Sequence, residues 1–162
     1  MVIRSAGQED LAAIAGLYVR NHKETYRGLL SDAYLSALNE ETALAKWQAF
    51  PSPVLVCLEG ETLLGFGAGE PDPELPGTWY LATLQVEKEA RRKGVGTLLI
   101  RAMAKLAGER GYERMSVCIV RGNDNARDLY GKLGATHLRF FEDDFGGTLS
   151  HSEKLVWEKL PL

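Results

Sequence analysis

The chain has no surplus of positive charge, no long apolar run, and little cysteine or histidine. Its 19 Lys and Arg stand against 22 Asp and Glu, a formal net charge of −3. With no basic excess to neutralise phosphates, nucleic acid is excluded as the main partner. No apolar stretch approaches the ~20 residues that a membrane span requires, so no membrane partner is expected. Val2-Ile3-Arg4 reads as strand at once, with no charged-then-apolar leader before it, and a cytoplasmic location is the default expectation. The two cysteines, Cys57 and Cys118, sit within apolar, β-branched stretches and read as reduced, buried thiols. No CxxC or His/Cys spacing is present, so no metal is expected.

What the chain does have is an ordinary globular balance. It has 162 residues, 45% hydrophobic and 25% charged, which fits one domain over 1–162 with a core of its own. Val2–Ser5 reads as a strand and Glu9–His22 as a helix, with Leu11, Ile14, Leu17 and Tyr18 at helical spacing. Thr25–Gly28 is a turn. Asp32–Phe50 resumes the helical period, capped by Ser31 or Asp32 and closed by Pro51 and Pro53. Val54–Leu58 and Thr62–Gly67 form a hairpin across Glu59-Gly60-Glu61, and Glu70–Gly77, with three prolines and its acids, reads as a solvated loop. Thr78–Val86 is a strand, and Gly94–Arg110 a helix with Leu98, Leu99, Ala102, Met103 and Leu106 as its buried stripe and Gly111 as its stop. Arg114–Val120 is a buried strand and Asn125–Leu133 a short helix. Thr136–Phe141 and Glu153–Leu160 are the last strands, around a loop holding Gly146-Gly147. This order implies one mixed sheet with helices on both faces, an α/β (α+β layered) domain. Its Thr78–Val120 unit should be a right-handed parallel crossover.

The chemistry concentrates where the strand ending Leu84-Gln85-Val86 gives way to Arg91-Arg92-Lys93-Gly94-Val95-Gly96-Thr97 at the start of a helix. A helix N-terminus leaves amide N–H groups unpaired and carries partial positive charge, glycine lets a ligand approach the backbone, and three cations reinforce the field. A phosphate is the natural guest. A P-loop fails because Thr97-Leu98 follows Gly96 where Lys-Ser/Thr is needed. A dinucleotide loop is disfavoured because Leu99 occupies the third glycine's place and the basic run precedes the glycines. The plainest alternative is a glycine-rich loop feeding a core helix.

Arg91-x-x-Gly94-x-Gly96 resembles the acyl-CoA pyrophosphate loop of the GNAT superfamily of N-acetyltransferases, Gln/Arg-x-x-Gly-x-Gly/Ala. Asn123-Asp124-Asn125-Ala126-Arg127-Asp128-Leu129-Tyr130-Gly131-Lys132-Leu133-Gly134-Ala135 resembles that family's Asn-x-x-Ala-x-x-Leu-Tyr-x-Lys-x-Gly-Phe signature, one helix and one strand later. The likeness is strong over Thr78–Ala135 and looser at Thr25–Leu30 and in the last two strands. It implies a mostly antiparallel central sheet and an enzyme that moves an acetyl group from acetyl-CoA to an amine by direct attack in a ternary complex. It also implies roles by position. The amides of Arg92–Thr97 would hold the pyrophosphate, with Arg91 and the other cations beside them. Leu84, Gln85 and Val86 would pair with the pantetheine arm, Asn123 would bond its amides with Ala126 nearby, and Tyr130 would protonate the departing thiolate. Tyr26 and Tyr80 would line the acceptor pocket, and a homodimer is expected from the family.

The sequence departs from the pattern at Ala135, where Phe is usual, and at Tyr80, where many members carry a catalytic Glu. The general base is therefore open among Glu24, Tyr80, Asp143, Asp144, His151 and an ordered water. His22 and His137 read as surface or packing residues, and Asp143-Asp144 as a solvated turn. The rival readings are a non-catalytic acyl-CoA-binding module and a nucleotide-binding structural domain.

Overall fold

The computed structural model describes every residue except Gly146. Seven strands make one sheet in the order β1-β2-β3-β4-β5-β7-β6. They are β1 (Val2–Ser5), β2 (Val54–Glu59), β3 (Thr62–Pro71), β4 (Thr78–Val86), β5 (Arg114–Val120), β6 (Thr136–Phe145) and β7 (Thr148–Trp157). Every neighbouring pair is antiparallel except β4 and β5, so the sheet is mixed and mostly antiparallel, as expected. The helices are α1 (Leu11–Thr25), α2 (Asp32–Ala37), α3 (Glu40–Ala49), α4 (Val95–Glu109) and α5 (Asp124–Lys132).

Side chains of β2 alternate between two cores, as the period of a strand requires. Leu55 and Cys57 join the α4 side together with Leu99, Met103 and Trp157. Val56 and Leu58 join the α1 and α3 side, with Ile14, Leu17, Trp47 and Phe66. Both faces of the sheet are thereby covered by helices. The buried stripe of α4 is Val95, Leu99, Ile100, Met103, Ala104 and Ala107. Leu98, expected inside it, is 40% exposed. The stripe is rotated from the expected one because the strand-facing side selects Ile100 and the small residues Ala104 and Ala107.

Three other expectations are corrected. The single helix over Asp32–Phe50 is two. Asn39 Oδ1 accepts the Thr42 N–H at 2.8 Å, and this cap, followed by Glu40 and Glu41, starts a new helix. The last two strands run much closer together than the Asp143-Asp144 and glycine signals suggested. The β6–β7 ladder continues to Phe145↔Thr148, because β6 is an edge strand and tolerates the charges that read as a turn. Asp144 does keep a turn role, accepting the Gly147 N–H on Oδ1 at 2.6 Å.

The segment Glu70–Gly77 is not simply solvated. Glu70 and Pro71 pair with Tyr80 and Trp79. The Asp72 carboxylate is fully buried against Lys154 Nζ at 2.8 Å, with Ser116 Oγ donating to it. Glu74 meets both Lys154 and Arg139. Lys154 and Ser116 hold the Asp72 carboxyl below its ordinary range against the opposing effect of burial. Asp72 and Glu74 are thus neutralised within the fold.

Removing Asp72 leaves the buried Lys154 ammonium with only the half-exposed Glu74 as a partner. Asp72→Ala should cost about 3 kcal/mol in urea unfolding at neutral pH, and Asp72→Ala/Lys154→Met should recover part of that loss. Since the folded carboxyl titrates below its ordinary value, the wild-type advantage should hold at neutral pH. It should fade as pH drops below the usual carboxylate range.

Candidate active site

The parallel pairing of β4 with β5 runs only from Thr78↔Arg114 to Leu81↔Val117. Beyond it β4 continues to Val86 and β5 to Val120, and the two strands part. A bulge lies at the same point. Ala68 pairs with Thr83 and Gly69 with Leu81, leaving Ala82 as the extra residue that bends β4. On its other edge β4 stays paired with β3 as far as Val86. Antiparallel pairs alternate between bonded and non-bonded residues, and Glu87 N–H bonds Leu64 O at 2.8 Å. The backbone of Gln85 therefore serves β3, while that of Leu84 and Val86 turns toward the gap. Asn21 Nδ2 of α1 donates to Val86 O at 3.0 Å, and the Leu84 N–H and C=O and the Val86 N–H are left facing the opening.

Just past β4 the chain turns through Arg92 at φ 65° and Gly94 at φ 83°. The left-handed turn at Gly94 favours glycine on its own, and a Cβ there would meet nothing within 4 Å. Space therefore lies open in front of the loop. The first intrahelical bond of α4 is Leu98 N–H to Gly94 O at 3.0 Å, and no side chain caps the helix. The N–H groups of Val95, Gly96 and Thr97 have no intrahelical acceptor. Gly96 answers a different need: a Cβ would lie 3.0 Å from Leu129 Cδ2, so glycine here lets α5 close against α4. Arg91, Arg92 and Lys93 are exposed beside these amides.

A cleft of about 810 Å³ opens at the parted strands. Its walls include β4 from Tyr80 to Val86, the end of β5, and α1 residues Tyr18, Asn21 and His22. Asn123, Ala126 and Tyr130 of the α5 segment and Phe141 and Asp143 of β6 complete it. Of the cationic loop, Arg91 lines the cleft, while Arg92–Thr97 follow outside its walls. Arg91 is turned toward α1, with Nη1 at 3.1 Å from Glu24 Oε1 and Nη2 at 3.3 Å from Asn21 Oδ1.

Tyr130 is 5% exposed and its ring meets Trp157 edge-on at 5.7 Å. Burial, with Tyr26 adding, pushes its phenol well above the ordinary tyrosine value, so it stays protonated. Asn123 stands at the N-cap of α5 but makes no side-chain cap bond, which leaves its amide for other partners. It faces the Tyr26 hydroxyl, which burial pushes up to about 12. Tyr80 also lines the cleft. Burial foremost, with the neighbouring Cys118 thiol, raises its phenol far above the ordinary value, which unsuits it as a base.

The other candidate bases separate by position. His151 pairs with Glu142 at 3.7 Å on the exposed side of the hairpin, away from the cleft walls, and Asp144 is used by its turn. Glu24 and Asp143 do reach the cleft. His137 is a surface residue whose Nδ1 lies 2.7 Å from Glu153 Oε2. His22 is a packing residue but also a wall of the cleft, and sequence reasoning did not place it there. Its Nδ1 is 3.0 Å from the Tyr18 carbonyl. Since a carbonyl only accepts, Nδ1 carries the proton and Nε2 the lone pair. Burial foremost, with Lys46 nearby, lowers its pKa to about 4 and keeps it neutral. Asn21 was missed as well. The signal was present: Tyr18, Asn21 and His22 fall at i, i+3 and i+4, polar groups on the face that carries Ile14 and Leu17.

Residues 13–135 match the model of the acetyltransferase (GNAT) family. The uncharacterized N-acetyltransferase YhfO of Bacillus subtilis is 29% identical over 153 residues, 90% of this chain and 93% of that protein. The thialysine N-epsilon-acetyltransferase of Bos taurus is 34% identical over 59 residues, 36% of this chain and 35% of that enzyme. The match thus spans about a third of the bovine relative. The structure of yncA from Salmonella typhimurium with its cofactor acetyl-CoA shares the fold at a TM-score of 0.75 and 21% identity, covering 99% of this chain and 94% of that one. A sheet that opens between its two parallel strands beside an uncapped helix, the two sequence signatures that flank the opening, and a family match over most of the chain converge on one statement: this chain belongs to the acetyltransferase (GNAT) family.

Proposed function

We propose that this protein is an acetyl-CoA-dependent N-acetyltransferase that works by direct attack of an amine, in the cytoplasm and as a homodimer. One observation carries the reading. The open backbone of Leu84 and the Val86 N–H share a single cleft with Asn123 and the Tyr130 phenol, and Arg91 leads from that cleft to an uncapped helix N-terminus.

The residues fit the cosubstrate, which supplies an acetyl group activated as a thioester. The amides of Arg92–Thr97 suit pyrophosphate oxygens, and Arg91, Arg92 and Lys93 add charge. The free Leu84 and Val86 groups suit the amides of a pantetheine arm, taken up as an extra strand in the gap that β5 leaves. Asn123, without a capping duty, suits a further amide, with Ala126 offering a small surface beside it. An amide N–H of β4 can polarise the carbonyl where negative charge develops. The Tyr130 hydroxyl, held protonated, donates to the departing sulfur. Tyr26 and Tyr80 line the acceptor end. The amine's proton leaves through Glu24, Asp143 or an ordered water, and no protein nucleophile is required.

Tyr130→Phe should lower kcat by about 100-fold, the scale of general acid catalysis, with a far smaller change in the acetyl-CoA Kd. Steady-state kinetics beside calorimetry read the two separately, and an unchanged kcat removes Tyr130 from the acid role. In wild type, kcat/KM for an alkylamine should rise about tenfold per pH unit below the acceptor's pKa of ~10.4. No fall should appear within the ordinary tyrosine range, because Tyr130 loses its proton only above it. Gly94→Asp sets a carboxylate against the pyrophosphate position and a side chain at φ 83°. It should weaken acetyl-CoA binding by about 100-fold or more, the loss expected of charge repulsion where a charge-assisted bond belongs. Tight binding of acetyl-CoA with no turnover of any amine would instead favour the non-catalytic acyl-CoA-binding module.

A further inference from the structure

Lys46 of α3 lines the cleft and pairs with no carboxylate among the described residues. Its ammonium is nonetheless held in place. Nζ donates to the Tyr18 hydroxyl at 3.0 Å and lies 4.9 Å from the Tyr18 ring centre and 5.3 Å from that of Trp47. Such contacts restrain a cation without neutralising it. An ammonium has three donors and this one uses one of them on protein. The Tyr18 hydroxyl, having accepted from Lys46, keeps its own proton to give. Next to it, His22 stacks on Tyr18 with ring centres 3.9 Å apart and offers a bare Nε2, since Nδ1 is committed to the Tyr18 carbonyl.

The wall therefore presents two donors, one of them a fixed positive charge, and one acceptor side by side. That set is complementary to a carboxylate that carries an N–H close to it, and is a poor surface for a bare diamine, whose ammonium groups Lys46 repels. The other acids on the cleft stand elsewhere: Glu24 pairs with Arg91, Asp124 opens α5 and Asp143 lies on β6, and none of the three pairs with Lys46.

Building on the acetyltransferase reading, we propose that the acceptor is a carboxylate-bearing amine, an amino acid or a peptide with its carboxyl terminus near the reacting group, and that Lys46 and Tyr18 hold that carboxylate. The test compares acceptors matched except for the anionic group: L-lysine with 1,5-diaminopentane, L-phenylalanine with 2-phenylethylamine, and O-phosphoethanolamine with ethanolamine. Wild type, Lys46→Gln and Lys46→Arg are assayed for kcat/KM, and acetyl-CoA binding by calorimetry reports that each variant is folded. A carboxylate also lowers the amine's own pKa, so only the part of the preference that depends on Lys46 counts.

Wild type should favour the carboxylate partner, and Lys46→Gln should cut that ratio by about tenfold, the scale of one charge-assisted hydrogen bond. Lys46→Arg should restore most of it. An equal ratio in wild type and Lys46→Gln, or turnover confined to the diamine and phenylethylamine, overturns the carboxylate site and leaves the acetyltransferase reading standing. A preference for the phosphate pair above both carboxylate pairs overturns the choice of carboxylate. Failure to bind acetyl-CoA or to acetylate any of the six amines overturns both readings together.

Discussion

Everything at the site depends on the end of parallel pairing at Leu81↔Val117. A sheet interior ordinarily satisfies each backbone group on both edges of a strand, and leaving them unmade is costly. Here β4 keeps its β3 partner and gives up its β5 partner over the last part of its length. The bulge at Ala82 bends it away, and Asn21 takes up only the Val86 carbonyl. The remaining groups face a cleft that water or a ligand can reach. A binding surface made of backbone amides does not depend on side-chain identity. It is set by register, and so by the whole β3–β4 ladder behind it.

α1 holds the other side of that opening. Five contacts tie its C-terminal half to the segment leaving β4: Arg20 with Glu87, Asn21 with Val86 and with Gln85, and Arg91 with Glu24 and with Asn21. The ion pairs are largely exposed and contribute little each, about 0–1 kcal/mol. Asn21 is buried and pairs with a strand carbonyl that would otherwise be open. Tyr18 and His22, on the same face, line the same cleft. One helix thus both bounds the open part of β4 and supplies a polar wall of the cleft. On the opposite side of the cleft, α5 carries Tyr130. It is anchored to β7 by Arg127 on Glu153, at 2.9 and 3.1 Å, and to α4 through Leu129 against Gly96.

Much of this was legible in the residues. Gly94 and Gly96 mark the loop, and Asn123 with Tyr130 marks the second wall, because the backbone demands and polar groups there are local in sequence. The two glycines proved to serve different purposes, one conformational and one for packing, which only neighbours far along the chain reveal. Leu84, Gln85 and Val86 looked equivalent. The ladder separates them, since alternation assigns Gln85's backbone to β3. Asn39 was a readable cap hidden inside a continuous helical period. The β6–β7 hairpin was misread as a loop because Asp143, Asp144 and glycine are turn formers whose local preference yields to pairing with β7. Asp72 was read as solvated because its partners, Lys154 and Ser116, lie 82 and 44 positions away. Lys46 and Asn21 carry no signal of their own in the sequence, and His22 reads there only as a surface or packing residue, for the same reason: their meaning is set by α1 meeting α3 and β4.

The acetyl-CoA arm is proposed to lie along the part of β4 that β5 gives up. Amide hydrogen exchange, with and without saturating acetyl-CoA and with ATP as a control, tests it most directly. The Leu84 and Val86 amides and those of Val95–Thr97 should slow strongly with acetyl-CoA and not with ATP. The Gln85 amide, already bonded across to β3, should be slow throughout and serve as the internal reference. Binding of acetyl-CoA that leaves Leu84, Val86 and the α4 N-terminus exchanging at their free rates would contradict the account.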